Sequence, residues 1–325
     1  MKSKDFFNEH SDFNVLEKAI LDYEPPILIM QGKDSKGNPI LSLSQIPYER
    51  AFPSSKAIEI NCTNQNNFGY RYDLRLKEEK YKDIFFKVID DILIYAAYEK
   101  DRKKYARCLV DRYKVWCKFW NRENKTLTYE KKQGLFGELF YIREQLKKGK
   151  DPEILLRSWK GPEGAPQDFI ETSYWAEIKT IKHTSDSVNI SSLEQLDNPA
   201  GLSEQESLNV TGRLIIIKLN LSPVSSTPLK LINLVTEIRS LLSTDTNARD
   251  LFENGLILLG FDMQREKEDD FIAELFDVSI YNANAPDFPK FKVKNVHNAV
   301  IGMSYKLSIP ALINWKIEDK QENKL

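Results

Sequence analysis

Apolar residues near the start of the chain occur in short runs that alternate with polar residues. Residues 27–30 and 40–43 are apolar runs on either side of a turn-rich segment, which predicts a β-hairpin. Residues 57–60 and 70–76 alternate with a period of two, which is typical of half-buried strands. The pattern therefore predicts a small antiparallel sheet in the first part of the chain.

The period of the apolar residues then becomes helical. Two runs predict helices over residues 80–99 and 101–121, because their apolar side chains recur three or four positions apart. A polar break at 121–125 follows, and it predicts a domain boundary. We therefore expect an N-terminal domain of strands and helices over residues 1–125 and a second domain over residues 126–325.

The second domain begins with a third predicted helix over residues 129–148, and a Gly/Pro-rich turn at 161–166 follows it. Such a turn can be neither a helix interior nor a central strand. The continuous apolar run at 214–217 predicts a strand covered on both faces, and Thr227 and Pro228 predict the cap of a further helix. Other strands are predicted at 168–170, 174–181, 187–190, 276–281 and 299–307.

Charge and hydropathy narrow the class of protein. The chain has 325 residues, and 47 basic residues nearly cancel 48 acidic ones to leave a net charge of −1. This balance excludes a uniformly basic nucleic-acid coat protein, but it is compatible with a local basic groove. No apolar run approaches the ~18 residues of a membrane helix, and the first residues lack the apolar region of a secretory signal.

Cysteine, histidine and glycine patterns exclude several kinds of site. The three cysteines have no CxxC spacing and are too few for a disulfide framework, so we interpret them as buried thiols in a reducing cytoplasm. The three histidines form no HExxH-type pattern, which argues against a zinc site. The sequence contains no GxxxxGK[ST] loop, so any ATP-driven step would belong to another protein.

Glu177, Ile178 and Lys179 lie in a strand-like run, where side chains point alternately to opposite faces. Glu177 and Lys179 therefore share a face. Asp168 lies nine positions before Glu177, directly after the Gly/Pro-rich turn, so the two carboxylates could meet across adjacent strands. Converging carboxylates repel unless they hold a cation, and hard oxygen ligands suit Mg²⁺. Lys179 could then orient or deprotonate an attacking water, or neutralise a phosphate.

Glu138 adds a third carboxylate from the preceding helix. Gly134 and Gly137 expose the backbone of that helix, which would let it approach a sheet closely. Each acidic residue also has an ordinary explanation by itself. Glu177 could belong to a surface Glu-x-Lys pair, Asp168 could be a turn residue and Glu138 could be an exposed helix charge. The order of helical Glu, Gly/Pro turn, Asp and strand Glu-x-Lys favours a joint site.

A second candidate is the predicted helix over residues 101–121. Residues 101–125 contain nine basic and three acidic residues, and aromatic residues lie between them. The pattern has two interpretations, a stripe that contacts a DNA backbone or a solvated face above an aromatic core, and the second arrangement is the more common. The basic residues on one face are Lys103, Arg107, Lys114 and Lys118.

Residues beyond the Glu-x-Lys strand offer further contacts to a substrate. Ser191 or Ser192 could cap the next helix, and the N-terminus of that helix could bind phosphate through its N–H groups. Gln195 could hold the attacking water or contact the nucleic-acid backbone. Lys182 and His183 directly follow the motif and could touch phosphate, although solvated loop positions are the more common alternative.

Five short segments, in this order, resemble a PD-(D/E)XK family of otherwise unknown function that occurs among bacterial restriction and phage-defence genes. The resemblance extends along nearly the whole chain and includes a Phe-Pro-Lys-Phe stretch at 288–291. One departure is Gln167, which stands between Pro166 and Asp168 where the motif has Pro directly before Asp. The segments are QGLFGEL (133–139), WKGP (159–162), PQDF (166–169), EIKT (177–180) and ISSLEQL (190–196).

The resemblance implies an α/β (α+β) fold: a restriction-endonuclease-like αβββαβ core with an N-terminal strand-and-helix domain and a C-terminal extension. It implies phosphodiester hydrolysis that depends on Mg²⁺, with Mn²⁺ as a substitute. By position, Asp168 and Glu177 become metal ligands, Lys179 the water-activating residue and Glu138 the helix carboxylate. We therefore expect a DNA endonuclease subunit of a prokaryotic restriction-modification or phage-defence system.

The gene neighbourhoods of this family imply partners: an Hsp90/MORC-type ATPase, a helicase-like ATPase and a methyltransferase. Two alternatives to an active nuclease stay open from the sequence. Cores of this type also occur as inactive modules that bind nucleic acid. The near-neutral charge and the sizeable N-terminal region would also fit a protein adaptor in a defence assembly.

Overall fold

The chain divides into two compact units, residues 1–124 and 125–325. The polar break at 121–125, which predicts the boundary, lies outside the described residues. The structure is a computed structural model. It describes residues 16–49, 51–120, 127–199, 209–223, 228–267, 270–297 and 299–317, without the side chains of 118–120.

The N-terminal unit contains a five-stranded antiparallel sheet. Its strands are β1 (Leu16–Lys18), β2 (Ile29–Lys33), β3 (Pro39–Ile46), β4 (Ile58–Asn64) and β5 (Tyr70–Leu76). The strand order is β1-β2-β3-β5-β4, which confirms the predicted hairpin and the two predicted period-two strands. Cys62 on the edge strand β4 is exposed, and Cys108 and Cys117 are half-buried, so the prediction of three buried thiols is wrong.

Two helices follow this sheet, α1 (Lys82–Ala96) and α2 (Arg102–Trp120), as their helical period predicts. They pack against each other. The aromatic residues Tyr105, Tyr113 and Trp116 of α2 are inaccessible to solvent. The apolar stripe of α2 is therefore a core face, which is what an amphipathic surface helix buries.

The C-terminal unit contains a mixed central sheet and a separate two-stranded sheet. Its strands are β6 (Phe169–Ile170), β7 (Tyr174–Lys182), β8 (Ser187–Ile190), β9 (Thr211–Asn220), β10 (Leu229–Lys230), β11 (Ile272–Asn282) and β12 (Tyr305–Ser308). The central sheet has the order β10-β11-β9-β7-β6, in which β7 and β9 are parallel. Strands β8 and β12 pair only with each other among the described residues.

The helices of this unit begin at side-chain caps in several cases, such as Thr128 before α3 and Asp151 before α4. Within the described residues, no helix has the length and apolar character needed to cross a membrane. The helices are α3 (Tyr129–Lys147), α4 (Pro152–Ser158), α5 (Leu231–Leu241), α6 (Thr246–Leu259) and α7 (Met263–Glu266). Short 3₁₀ turns lie in both units: at Asn66–Phe68 and Glu79–Tyr81 in the N-terminal unit, and at Gly161–Glu163, Leu193–Leu196, Val293–Asn295 and Pro310–Trp315 in the C-terminal unit.

The order α3-β6-β7-β9-α5-β11 is the αβββαβ order that the resemblance implies, with α4, β8, β10, α6 and α7 as additions. The run at 214–217 forms the middle of β9, and all four of its side chains are buried. This burial confirms a strand covered on both faces, because β9 lies between β7 and β11 with packing above and below.

Helix α3 covers one face of the central sheet. A Cβ on Gly137 would collide with the side chain of Thr180, so glycine is needed for this close approach. Gly134 has no neighbour within 4 Å of such a Cβ, so the predicted role of Gly134 is wrong. The opposite face packs under the two-stranded sheet, where Trp175 of β7 and Val188 of β8 share one core.

Two predicted element boundaries are wrong. Thr227 lies outside the described residues, and Pro228 precedes β10 rather than a helix, because Leu229 and Lys230 pair with β11 before α5 begins. The strand predicted over 299–307 is shorter, since only the residues of β12 pair with β8. In both places, pairing with a distant strand sets the boundary, and local signals do not report it.

Candidate active site

The hairpin of β6 and β7 brings together the two carboxylates predicted as metal ligands. The antiparallel register places Asp168 opposite Glu177. Oδ2 of Asp168 accepts a hydrogen bond of 2.7 Å from the N–H of Ile178. This bond fixes the Asp168 carboxylate at the edge of β7, beside the Glu-x-Lys motif.

The Gly/Pro-rich turn folds back onto Asp168. The N–H groups of Lys160 and Gly161 donate to the carbonyl oxygen of Asp168 at 2.7 and 3.1 Å. A Cβ on Gly161 would lie 2.7 Å from Oε2 of Glu138 and 3.4 Å from Oδ1 of Asp168. A side chain at this position would displace the Glu138 carboxylate, so the glycine leaves the space beside the two carboxylates open.

Helix α3 carries Glu138 to the same place. Gln133 in the first half of α3 donates a hydrogen bond of 2.7 Å to the carbonyl oxygen of Thr180, which holds the helix on β7. The indole N–H of Trp159 donates to Oε2 of Glu138 at 2.6 Å. The sequence pattern includes Trp159 but indicates no role for it, since only the fold brings the indole to the carboxylate.

Glu177 is 2% exposed and has one satisfied oxygen and one unsatisfied oxygen. Its Oε1 lies 2.7 Å from Nζ of Lys179, as the shared strand face predicts. Its Oε2 is buried and has no hydrogen-bond partner. A buried carboxyl oxygen without a partner is costly, so this atom is a candidate ligand for a cation.

The carboxylate cluster holds more negative charge than its surroundings neutralise. In the described part of the chain, Lys179 is the cation that attracts all three carboxylates. Burial, followed by repulsion from Asp168, raises the pKa of Glu138 to about 8. Burial raises the pKa of Asp168 to about 6, and burial with repulsion from Asp168 raises the pKa of Glu177 well above its ordinary value. A bound cation would reverse these shifts.

Gln195 contacts Lys179, whereas its predicted partners are the attacking water or the nucleic-acid backbone. Its Oε1 accepts hydrogen bonds from Nζ of Lys179 at 3.2 Å and from the N–H of Ser191 at 2.7 Å. The Lys179 ammonium therefore lies between Glu177 and Gln195. This contact positions Lys179 and uses the amide oxygen that an attacking water would otherwise meet. A contact of Gln195 with the nucleic-acid backbone stays a prediction.

Gln167, the departure from the family motif, supports the same arrangement. Its side chain is 2% exposed. Its Nε2 donates to the carbonyl oxygens of Glu194 and Asp197, the second at 2.9 Å. Gln167 thus ties the residue before Asp168 to the turn that carries Gln195. In the sequence, Gln167 stands out only as a polar side chain next to a motif residue. Its hydrogen-bond partners lie in a distant turn and are seen only in the fold.

The helix cap predicted after β8 is wrong. Leu193–Leu196 is a single 3₁₀ turn, and Ser192 at its start makes no side-chain cap hydrogen bond. The N–H of Ser191 donates to Gln195 instead, while the residue itself is exposed. One short turn provides no aligned helix dipole, so the phosphate site predicted at a helix N-terminus is not formed.

Lys182 and His183 lie at the far end of β7. Lys182 is exposed, and strand alternation places it on the face opposite to that of Lys179. The ring centroid of His183 lies 5.2 Å from that of Phe276. The structure therefore does not bring these two residues to the carboxylate cluster.

The basic stripe of α2 belongs to the N-terminal unit. Lys103, Arg107 and Lys114 are exposed, and Arg107 pairs with Asp111 at 3.5 Å. The side chain of Lys118 lies outside the described residues. Since Tyr105, Tyr113 and Trp116 are buried, the stripe has the form of a solvated face above an aromatic core. Contact of this stripe with DNA stays a prediction.

Mg²⁺ fits the donor atoms of the cluster. Among the described residues, no three His, Cys, Asp or Glu side chains form a ready-made metal site. Mg²⁺ requires fewer protein ligands than that, because it usually takes one or two carboxylates and completes its octahedron with waters and substrate phosphates. Glu177 supplies an unpartnered oxygen, and Asp168 is half-buried at the edge of the hairpin, so these two side chains suit the ion.

The αβββαβ order and the Asp…Glu-x-Lys hairpin with a helical Glu define a restriction-endonuclease-like α+β domain. The family comparison agrees with this class. A family model described as "Putative PD-(D/E)XK family member, (DUF4420)" matches residues 8–310, and the chain belongs to this family. No curated protein and no solved structure matches the chain.

Proposed function

We propose that this protein is a Mg²⁺-dependent DNA endonuclease that hydrolyses phosphodiester bonds. The observation that carries the proposal is the carboxylate cluster around Lys179, in which Oε2 of Glu177 is buried without a partner. Converging carboxylates repel a phosphate backbone, so a protein that only binds nucleic acid gains nothing from them. A cation between carboxylates and phosphate turns the same arrangement into a hydrolytic site.

Asp168 and Glu177 would hold Mg²⁺, and Mn²⁺ would substitute for it. The bound ion would supply a Lewis acid that stabilises negative charge on the phosphoryl group. Lys179 would activate the attacking water, by orienting it or by helping to deprotonate it. Gln195 keeps the Lys179 ammonium at this position through its Oε1.

Glu138 would act as a proton carrier beside the metal ligands. Its raised pKa keeps it protonated at neutral pH in the metal-free protein. Oε2 of Glu138 accepts the Trp159 N–H, which leaves Oε1 as the oxygen that would carry the proton. A bound cation would lower this pKa and release the proton, so that in the metal-loaded protein the Glu138 carboxylate could accept a proton during hydrolysis.

The proposal is tested by incubating the purified protein with plasmid, linear, single-stranded and modified DNA, with Mg²⁺, with Mn²⁺ or with a chelator. We expect cleavage only with the metal ion, and none by Glu177→Gln. Glu130→Gln is the matched control, because Glu130 is an exposed residue in the first turn of α3. Binding of DNA without cleavage under every condition would instead support an inactive binding module.

We further propose that the protein acts in the cytoplasm of a prokaryote, as a subunit of a restriction-modification or phage-defence system. The partners proposed are an Hsp90/MORC-type ATPase, a helicase-like ATPase and a methyltransferase. The support is the family membership together with the lack of a P-loop motif in the sequence. Affinity purification after nucleic-acid digestion tests it, and recovery of proteins without nuclease activity would support the adaptor alternative.

A further inference from the structure

The site described above makes no use of the lysines in residues 288–317, the C-terminal lysine segment. This segment contains five lysines and no aspartate or glutamate, although the whole chain has a net charge of −1. A local excess of one charge sign attracts polymers of the opposite sign, and nucleic acid is the strongest such polymer. The location of the segment decides whether this charge bears on the proposed nuclease.

The segment lies on the sheet face that carries Glu177 and Lys179. Trp175 stands two residues before Glu177 on β7 and therefore shares its face. Nζ of Lys290 lies 5.5 Å from the ring centroid of Trp175 and donates to Oδ1 of Asn284 at 2.8 Å. Burial lowers the pKa of Lys290 to about 8, as expected for a lysine that anchors the segment.

Hydrogen bonds join the segment to the turn that carries Gln195. The N–H of Val293 donates to Oδ2 of Asp197 at 2.9 Å. Nδ2 of Asn284 donates to Oδ1 of Asn198 at 2.7 Å. The segment is therefore held beside the turn that contacts the ammonium of the candidate catalytic lysine.

The outer surface combines cationic and aromatic side chains. Phe291 is 51% exposed and meets Tyr305 edge-to-face, with 5.0 Å between ring centroids. Lys306 is exposed and Lys292 half-exposed, and neither has an ion-pair partner among the described residues. Two carboxylates of this region accept hydrogen bonds from other groups: Asp197 from the Val293 N–H, as above, and Asp287 from the indole N–H of Trp315 at 3.0 Å.

We propose that the C-terminal lysine segment binds the substrate strand next to the site, with Lys292 and Lys306 on phosphates and Phe291 stacked on an unpaired base. Lysines that follow a backbone beside an exposed aromatic ring form the arrangement that binds single strands without sequence preference. The inference rests on the proposed nuclease function and adds a substrate class, DNA with unpaired bases close to the scissile phosphate.

The test is binding of a labelled single strand and of the matching duplex, measured by fluorescence anisotropy at several salt concentrations with Ca²⁺ in place of Mg²⁺. Lys292→Glu and Lys306→Glu should each weaken binding of the single strand and lower the log–log salt slope by about 0.7. Phe291→Ala should weaken single-strand binding roughly ten-fold or more, with little effect on the duplex.

Lys267→Glu is the matched control, because this exposed lysine follows Glu266, which pairs with Lys132 of α3 on the opposite side of the sheet. Equal effects of all the charge reversals, the control included, would overturn the inference, as would unchanged binding in all three test variants. In either case the proposed function stands if the parent protein cleaves DNA. A parent that neither binds nor cleaves nucleic acid would contradict the proposed function itself. Unfolding midpoints identify any variant that fails to fold.

Discussion

Each unit of the chain buries a charged cluster, and the two clusters are built in opposite ways. In the N-terminal unit, the fully buried Asp91 accepts hydrogen bonds from Nε and Nη2 of Arg112 at 2.6 and 3.0 Å and from the indole of Trp116 at 2.7 Å. In the C-terminal unit, three carboxylates share the ammonium of Lys179, and one oxygen of Glu177 has no partner.

The contrast separates two uses of buried charge. A bidentate Arg–Asp pair is electrically balanced and geometrically satisfied, so its main effect is to hold two helices in one arrangement. An unbalanced cluster lowers the stability of the fold and persists where a ligand restores the balance. We therefore expect substitutions in the first cluster to affect folding and substitutions in the second to affect chemistry.

The largest effect is expected from Asp168→Asn, which removes a proposed metal ligand. Both Mg²⁺ binding and DNA cleavage should be abolished, while the unfolding midpoint should not fall, because a buried negative charge is lost. Calorimetric Mg²⁺ titration beside plasmid nicking measures the two effects, with Glu130→Gln as the control. A variant that still binds Mg²⁺ like the parent would show that Asp168 is not a ligand.

Lys179→Ala should separate chemistry from metal binding. A protonated lysine cannot be a metal ligand, so Mg²⁺ binding should persist or tighten after removal of the neighbouring cation. Cleavage should fall about 10²–10⁴-fold, the range typical of lost proton-transfer help. Lys131→Ala, at an exposed position on α3, is the control. Cleavage at the parent rate would reduce Lys179 to a structural ion-pair partner.

Asp91→Ala should destabilise the N-terminal unit by about 3–5 kcal/mol, because it removes the carboxylate that accepts two hydrogen bonds from the buried guanidinium of Arg112. Denaturant unfolding of the full chain measures this loss in the transition of that unit. The exposed pair of Arg107 and Asp111 provides the control, and Asp111→Ala should cost less than about 1 kcal/mol. Similar losses in both variants would contradict the distinction between satisfied buried and exposed pairs.

Glu138 should make the stability of the protein depend on pH in a predictable direction. Its pKa is raised from 4.5 to about 8 in the folded chain, so the folded state binds more protons than the unfolded state between these values. The stabilising contribution is complete below about pH 4.5 and is lost as the pH rises through about 8. Glu138→Gln should flatten this decline in thermal unfolding scans without metal, and an unchanged decline would contradict the assignment.

The smallest effect is expected from charge reversal of Lys103, Arg107 and Lys114 on α2. If the stripe is a solvated face, the salt slope of DNA binding should stay constant. A fall in the slope by about 0.9 for each residue would show that the stripe contacts phosphates. That outcome would give the N-terminal unit a direct part in substrate binding.

Long periodic elements were predictable from the sequence. The helical period locates α1, α2 and α3 within a few residues, and period two locates β4 and β5. The beginnings of α5 and β12 were not predictable, because they depend on pairing with β11 and β8. Residues such as Gln167 and Trp159 gained a role only when the fold brought their partners from elsewhere in the chain.

The sequence by itself determined which side chains share a strand face: Glu177 and Lys179 had to point the same way, because alternation is a local property of extended backbone. It also determined that Asp168 would lie near a turn before that strand. Only the tertiary structure decided that Oε2 of Glu177 would lack a partner and that Gln195 would hold Lys179. These features depend on contacts between segments far apart in the chain, and the hydrophobic packing of the central sheet, rather than any local preference, sets those contacts.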